Sequence, residues 1–297
     1  NDFYMDFVDI LNKFEINPKE VRLFRHPHSK FGDLQNTPYW LWRNDNEGFR
    51  FLNADQDKHQ FRDHFKYLAV FVGTNYKETL FVKFYKIGDK NKMPKNFFHP
   101  HWKRTVTEEE RNFFNEDIYD NEGNFYKGRI ICELIEDKSL SKYEGKLIID
   151  WGGSPVRWYQ NAGNTPKEII QFNKSIVEPP FPGVASFEWD SNNISSIYKS
   201  WVNYLSDSKG IYILVDKDTG NQYIGSATGK NGFYGRWLQY EENGHGGNKL
   251  LKKLKNPIYK VGILEIAGSL ETSDDILKKE SDWKDKLGSR SFGLNAN

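Results

Sequence analysis

Three prolines within four residues, Pro179, Pro180 and Pro182, interrupt this chain of 297 residues. Proline fixes φ and has no N–H, so such a run cannot lie inside a helix or a central strand. The length corresponds to roughly two domains at about 150 residues each. We therefore predict a boundary near residue 183, between an N-terminal domain of residues 1–183 and a C-terminal domain of residues 184–297.

The N-terminal domain is predicted to be a mixed α+β domain rich in strands. The aromatic fraction of the whole chain, 16%, excludes a disordered protein, because disordered chains are poor in aromatic residues. Strands are predicted where β-branched and aromatic residues concentrate, at residues 67–73, 79–87, 129–136 and 146–151. Helices are predicted at residues 6–14, after Thr107, which has capping-box spacing to Glu110, and after Thr165, which precedes a proline.

The C-terminal domain is predicted to be a small α+β domain. Apolar residues at helical spacing or in short β-rich runs alternate along it. The predicted strands are residues 210–216, 222–226 and 258–266, and the predicted helices are residues 194–205, 233–241, 249–255 and 274–287. Asn248 is expected to cap the third of these helices, and Gly288 to end the last. The pattern predicts a three-stranded sheet flanked by helices.

Three tripeptides and three single residues of the C-terminal domain form a recognisable pattern. In chain order they are Gly210-Ile211-Tyr212, Tyr223-Ile224-Gly225, Arg236, Tyr240, Glu280 and Gly293-Leu294-Asn295. This pattern resembles that of the GIY-YIG nuclease superfamily over about residues 205–297. Residues 225–248 resemble a restriction-endonuclease-like branch of it.

The resemblance implies hydrolysis of DNA phosphodiester bonds by in-line attack of water, which leaves a 5′-phosphate. It implies that the Tyr212 phenol takes a proton from the water and that Tyr223 orients the water or Tyr212. Arg236 and Tyr240 share a helix face, being four residues apart, and would hold the scissile phosphate, since a guanidinium grips two phosphate oxygens. Asn295 would order the site through hydrogen bonds.

Glu280 is the predicted metal ligand. On an ideal helix it shares the apolar face with Ile276, Trp283 and Leu287, where a carboxylate is costly unless it is paired or binds a cation. A hard divalent cation, Mg²⁺ or Mn²⁺, fits that need. The alternative is a salt bridge to Arg236 or to a lysine. No second carboxylate has comparable spacing, so a one-metal site is expected.

A lysine-rich segment of the C-terminal domain is the predicted contact to the DNA backbone. The net charge of the chain, +1, gives no general sign of a nucleic-acid partner. The segment contains Lys249, Lys252, Lys253 and Lys255, and its alternative interpretation is a solvated helix face. His245, in a glycine-flanked loop, is either a substrate contact or a plain loop residue.

The N-terminal domain is predicted to recognise DNA, since a compact nuclease site contacts few base edges. Trp40 and Trp42 lie in an aromatic run that could stack on an extruded or modified base. The alternative is that they are core residues alternating along a strand. The domain would then read either a sequence or a base modification in double-stranded DNA.

The sequence as a whole therefore predicts a metal-dependent DNA endonuclease of restriction type. The resemblance implies two active sites for cutting both strands, hence a dimer or transient pairing on DNA. Alternatives are a homing or repair nuclease that nicks one strand and a catalytically inert DNA-binding protein.

The longest apolar runs of the chain are far below the roughly 20 residues of a membrane span, and its one cysteine excludes a disulfide framework. A cytoplasmic protein is expected.

Overall fold

The computed structural model describes residues 5–27, 37–74, 77–100, 102–115, 118–119, 125–152, 157–255 and 257–296. Contacts between residues divide the chain into two compact units, and the division falls between Val177 and Glu178. No helix in the described part of the chain is long and apolar enough to cross a membrane.

The first unit is built on an eight-stranded mixed sheet. Its helices are α1 (Phe7–Lys13), α2 (Pro38–Asn44), α3 (Asn46–Ala54) and α4 (Glu108–Asn115). Its strands are β1 (Val21–His26), β2 (Asp55–Asp57), β3 (Tyr67–Gly73), β4 (Glu78–Asn91), β5 (Phe98–His99), β6 (Arg104–Thr105), β7 (Ile118–Tyr119), β8 (Phe125–Lys127), β9 (Arg129–Glu136), β10 (Leu147–Asp150), β11 (Tyr159–Asn161) and β12 (Ile169–Phe172).

The main path of this sheet runs β11-β1-β3-β4-β10-β12, and β9 pairs with both β4 and β2. Strands β1 and β3 are parallel. Helix α1 packs on the sheet through Phe7, whose ring contacts the Phe71 ring edge-on at 5.3 Å between centroids. The core beneath it also contains Phe81 and Trp151, both buried. Packing of large aromatic rings thus holds the first unit together.

Most predicted elements of the first unit are present. The four predicted strands correspond to β3, β4, β9 and β10, and the helix predicted at residues 6–14 is α1. The capping box before α4 forms, because Thr107 and Glu110 each accept a hydrogen bond from the other's backbone N–H. The helix predicted after Thr165 is wrong. The Thr165 hydroxyl instead donates to the Asn161 carbonyl at 2.8 Å, and the chain continues into β12.

The second unit is a four-stranded antiparallel sheet with helices, in the order β13-β16-β14-β15. Its strands are β13 (Glu188–Asp190), β14 (Gly210–Asp216), β15 (Gln222–Ala227) and β16 (Tyr259–Ile266). Its helices are α5 (Lys199–Asp207), α6 (Gly232–Asn243), α7 (Ser273–Lys286) and α8 (Ser289–Phe292). The three predicted strands are present, and the short edge strand β13 was not predicted.

The proline-rich segment that precedes the predicted domain boundary packs on the second unit. The indole N–H of Trp201 in α5 donates to the Pro179 carbonyl at 2.7 Å. The Phe181 ring lies 4.4 Å from the Tyr204 ring between centroids. These contacts explain why the segment clusters with the second unit from Glu178 onward.

Two predicted helices of the second unit differ from the structure. The helix predicted at residues 194–205 is a 3₁₀ turn at Ile194–Ser196, followed by α5. The helix predicted at residues 249–255 is only a 3₁₀ turn, Leu251–Lys253. The N-cap of this turn is Leu250 and not Asn248, although the Asn248 Oδ1 accepts the Leu250 N–H at 3.0 Å. Glycines before it and Pro257 after it leave too few residues for a stable α-helix.

Candidate active site

The hairpin of β14 and β15 brings two tyrosines onto one face of the sheet. Tyr212 is paired with Gly225, and Leu214 with Tyr223. Alternate residues of a strand share a face, so Tyr223 lies on the face of Gly225 and therefore of Tyr212. The two rings are 6.5 Å apart between centroids. The shared face expected from the sequence is thus present.

Gly225 makes room for the Tyr212 phenol. A Cβ at position 225 would lie 2.4 Å from the Tyr212 hydroxyl oxygen and 2.9 Å from Cε1 of Tyr223. Real Cβ atoms do not approach other atoms so closely, and both rings are buried. Any side chain here would displace the phenol, so the last glycine of the second tripeptide has a steric role in the site.

Gly225→Ala is expected to lower the free energy of unfolding by about 1 to 3 kcal/mol, the usual cost of overpacking a core. Gly229→Ala is the matched control, since a Cβ at Gly229 meets nothing within 4 Å. Urea denaturation of both variants measures the difference. Equal stability of the two variants would show that the space around Tyr212 is not tightly filled.

Arg236 links the hairpin to α6. Its Nε donates to the Tyr212 hydroxyl at 3.1 Å, and its Nη2 donates to the Tyr240 hydroxyl at 3.2 Å. The two hydroxyls are themselves hydrogen-bonded at 2.8 Å. Nη1 donates to the Gly246 carbonyl at 3.0 Å. Arg236 and Tyr240 therefore share one helix face, as their spacing predicts, and form one hydrogen-bonded cluster with Tyr212.

The electrostatics of this cluster favour neutral phenols beside a charged guanidinium. Burial raises the pKa of Tyr212 well above its ordinary value, and the positive charge of Arg236 opposes that rise. Burial also raises the pKa of Tyr240. Arg236 forms no ion pair with a carboxylate among the described residues. None of the described carboxylates therefore neutralises its charge, which is available to an anion.

Glu280 of α7 lines a polar cavity of about 460 Å³ together with Tyr223 and Arg236. The end of β15, the segment that follows it and α6 supply the rest of the wall. The remaining lining residues are Ser226, Ala227, Thr228, Gly229, Lys230, Asn231, Gly232, Gly235 and Gln239. The cavity thus brings together a carboxylate, a guanidinium and a phenol. Tyr212 and Tyr240 lie behind its wall, buried.

Glu280 forms an ion pair with Lys284, one helical turn further along α7. The Lys284 Nζ lies 2.7 Å from Oε1 of Glu280, and the two side chains are 8% and 13% exposed. Of the two salt bridges considered as alternatives, the structure contains the one to a lysine and not the one to Arg236. Ile276 is buried on this face of α7, but Leu287 is 38% exposed, because the helix ends at Lys286 before it.

The donor atoms of the cavity suit a divalent cation held by a single carboxylate. No group of three or more His, Cys, Asp or Glu side chains in the described part of the chain could hold a metal. Mg²⁺ keeps several waters and is usually bound through one or two carboxylates together with substrate phosphates. Glu280 and the hydroxyl and amide oxygens of the wall are compatible with that mode. A closed site made of protein ligands alone would need further His, Cys, Asp or Glu side chains, which the described residues do not supply.

Asn295 holds the backbone of β15 next to Tyr223. Its Oδ1 accepts the Ile224 N–H at 2.9 Å, and its Nδ2 donates to the Ile224 carbonyl at 2.8 Å. Asn295 is 2% exposed. Both of its contacts go to the backbone, so its side chain positions the strand that carries Tyr223.

The predicted DNA contacts of the second unit lie outside the cavity wall. The side chains of Lys249, Lys252, Lys253 and Lys255 are exposed. His245 is partly buried, and its Nδ1 accepts the Gly247 N–H at 2.9 Å. Their contact with DNA stays a prediction.

Trp40 and Trp42 lie on α2 and not on a strand. Trp42 is 8% exposed, and its ring contacts the Tyr39 ring edge-on at 5.4 Å between centroids. Trp40 is partly buried, and its indole N–H has no hydrogen-bond partner among the described residues. Packing therefore accounts for Trp42, and stacking of a base on either ring stays a prediction.

Polar residues of the cavity that were not singled out from the sequence include Thr228, Lys230 and Gln239. Thr228 and Lys230 lie between β15 and α6, and Gln239 lies on α6. Gln239 also accepts a hydrogen bond from Arg236. The signal that could have identified the first two is the run of glycines after the second tripeptide, because glycines allow close approach of a ligand to the backbone.

Comparison with known protein families gives a match in the second unit. Residues 208–295 match the family model of the GIY-YIG catalytic domain. The match covers β14 to Asn295 and includes every residue of the cluster described above. No curated protein and no solved structure matches the chain at a significant level. The second unit thus carries a GIY-YIG domain, which supports nuclease function.

Proposed function

We propose that this chain, whose residues 208–295 form a GIY-YIG catalytic domain, is a metal-dependent DNA endonuclease of restriction type. The observation that carries the proposal is the Arg236 guanidinium, which donates to two buried phenols and borders the cavity that Glu280 also lines. A site with an arginine that forms no ion pair among the described residues, one carboxylate and phenols is suited to a phosphodiester.

Arg236 would bind the scissile phosphate. Its guanidinium is held by Tyr212, Tyr240 and the Gly246 carbonyl, so its position is set before charge builds up on the phosphate oxygens. Preorganised donors of this kind supply much of the stabilisation of a transition state. Its partly buried position strengthens the interaction, since the surroundings screen charge less than water does.

The phenols would handle the proton of the attacking water. Tyr223 lines the cavity and would orient the water, whereas Tyr212, behind it, would accept the proton. Burial raises the pKa of Tyr212, so at neutral pH only a small fraction is deprotonated. The hydrogen bond from Arg236 to the Tyr212 oxygen favours the phenolate over the phenol.

Glu280 would hold a divalent cation, Mg²⁺ or Mn²⁺. Bound there, such an ion would stabilise negative charge on the leaving oxygen. The ion pair of Glu280 with Lys284 uses Oε1, and the carboxylate can serve a cation with its other oxygen. Asn295 would keep the strand of Tyr223 in register.

Tyr212→Phe is expected to lower the cleavage rate at pH 8 by at least about 100-fold, the low end for an acid–base group. The pKa of Tyr212 is raised, so the deprotonated fraction grows about tenfold per pH unit across pH 7 to 9. The wild-type rate should rise accordingly, and that rise should disappear in Tyr212→Phe. Single-turnover rates against pH measure both.

Tyr223→Phe is the matched comparison for this experiment. If Tyr223 only orients the water, loss of its hydroxyl lowers the rate but leaves the increase of the rate with pH unchanged. A slope that survives in Tyr212→Phe and vanishes in Tyr223→Phe would transfer the proton-accepting role to Tyr223.

The first unit, within residues 1–183, would supply the sequence or modification specificity. A cavity of this size reaches few base edges, and base contacts are what specify a sequence.

Two copies would pair, as a dimer or transiently on the DNA, to cut both strands. Supercoiled plasmids, with and without modified bases, test this. Linear product supports the restriction type, accumulation of open circles supports a nicking nuclease, and binding without cleavage supports an inert DNA-binding protein.

A further inference from the structure

A large basic cleft lies in the first unit, separate from the nuclease cavity. Its volume is about 970 Å³, and its wall includes residues of β1 and β11 and the segment before β12. Among the described residues, six basic side chains line it and no aspartate or glutamate does. The six are Arg22, His59, Arg62, His64, Arg157 and Lys167. Such a one-signed lining attracts anions.

Arg22 is buried in this cleft without a counter-ion. It is 5% exposed, and its guanidinium donates to the side-chain oxygens of Asn161 and Gln60, both neutral amides. Its Nε has no hydrogen-bond partner among the described residues. A buried charge normally has an opposite charge beside it, and here the described side chains supply none within ion-pair distance.

Lys167 repeats this situation on another wall of the cleft. It is 4% exposed, its Nζ donates to the Trp151 carbonyl, and it lies 4.9 Å from the centre of the Trp151 ring. Burial lowers the pKa of Lys167 to about 8 and that of Arg22 to about 10. Burial outweighs the opposing charge of the Asp150 carboxylate at Lys167, and at Arg22 burial is likewise the largest cause of the shift.

Aromatic rings stand beside these cations. The Arg22 guanidinium lies 4.5 Å from the centre of the Tyr159 ring, and Tyr159 and Trp158 contact each other edge-on at 5.3 Å between centroids. Both rings are partly exposed and line the cleft. Rings next to a basic groove are the arrangement on which unpaired bases stack while cations hold the backbone.

We propose that this cleft binds a strand segment of DNA, with backbone phosphates held by Arg22, Arg62, Arg157 and Lys167 and a base stacked on Tyr159 or Trp158. The proposal rests on the proposed function in that the substrate is DNA. A phosphate-bearing nucleotide is the chemistry recognised. A strand fits better than a free nucleotide, because four arginine and lysine side chains exceed what one phosphate needs and match successive phosphates.

The test compares two double variants of the full chain. Arg62 and Arg157 are exposed, so R62Q/R157Q should fold. K13Q/K138Q is the matched control, since it removes the same charge from exposed lysines that do not line the cleft. Fluorescence anisotropy of a labelled DNA oligonucleotide with an unpaired loop, in EDTA and at several salt concentrations, gives Kd and its salt dependence.

R62Q/R157Q is expected to weaken binding about 10- to 100-fold near 0.1 M salt and to lower the slope of log K against log salt by about 1.4 to 1.8, from about 0.7 to 0.9 for each lost phosphate contact. K13Q/K138Q should stay near the wild type. Y159L should weaken binding of the unpaired loop by about 5- to 100-fold, with a smaller effect on a blunt duplex. If R62Q/R157Q has the Kd and slope of K13Q/K138Q, the cleft does not bind DNA and the proposal is overturned.

Competition with deoxyadenosine monophosphate and with inorganic phosphate distinguishes the sources of the phosphate. Displacement of the oligonucleotide only at millimolar concentrations supports a strand site, whereas micromolar displacement by the nucleotide would make the cleft a free-nucleotide site. Cleavage is measured separately, with Mg²⁺. Cleft-dependent binding without cleavage would overturn the nuclease proposal alone, and cleavage with cleft-independent binding would overturn this inference alone.

Discussion

Replacing Glu280 by glutamine is expected to lower the rate of DNA cleavage by about 1,000-fold or more, at the upper end for loss of one group that stabilises the transition state. Glutamine keeps the shape of the side chain but removes the charge that a divalent cation requires. DNA binding in EDTA should change by less than about threefold, because glutamine adds no bulk and removes no cation from the cavity. Single-turnover cleavage with Mg²⁺ and anisotropy with EDTA give the two quantities.

Two further variants on α7 separate a metal role from a structural one. Asp282→Asn removes an exposed carboxylate that does not line the cavity, and it should cleave like the wild type. Lys284→Met breaks the ion pair of Glu280 but leaves the carboxylate in place, so cleavage should persist. If Lys284→Met and Glu280→Gln lost the same activity, Glu280 would act through the ion pair and the metal assignment would be wrong.

Arg236→Lys is expected to lower kcat/KM by about 100- to 1,000-fold, the range for loss of one preorganised donor. Lysine keeps the charge but cannot present planar donors to Tyr212 and Tyr240 at once. Steady-state cleavage of a single-site oligonucleotide measures the loss. Arg290→Lys is the control, since Arg290 is an exposed arginine paired with Asp285. A fall of less than about threefold would show that Arg236 contributes only its charge.

The arrangement of the candidate site could be predicted largely from the sequence because local patterns determine it. Strand alternation placed Tyr212 and Tyr223 on one face, and helical spacing placed Arg236 beside Tyr240. The i,i+4 relation of Glu280 and Lys284 was visible as well, but the sequence could not show which charged residue would pair with Glu280. Two-residue and four-residue spacings need no knowledge of the tertiary fold.

What could not be predicted depends on contacts between distant segments. Strand β13 has only three residues, and it is a strand because it pairs with the edge of β16. Arg22 and Lys167 come from opposite ends of the first unit's sequence, and only the fold brings both to one cleft. A core strand was one interpretation of the aromatic run that contains Trp40. The run instead lies in helix α2, which Thr37 caps. Tertiary context decides such short segments.

The most direct test of the central claim is cleavage of a panel of plasmid and phage DNAs, modified and unmodified, by the full chain in Mg²⁺ and in EDTA. We expect discrete fragments from at least one DNA with Mg²⁺ and none with EDTA. Binding of these DNAs without cleavage of any, or cleavage that EDTA leaves unchanged, would contradict a metal-dependent endonuclease centred on Glu280 and Arg236.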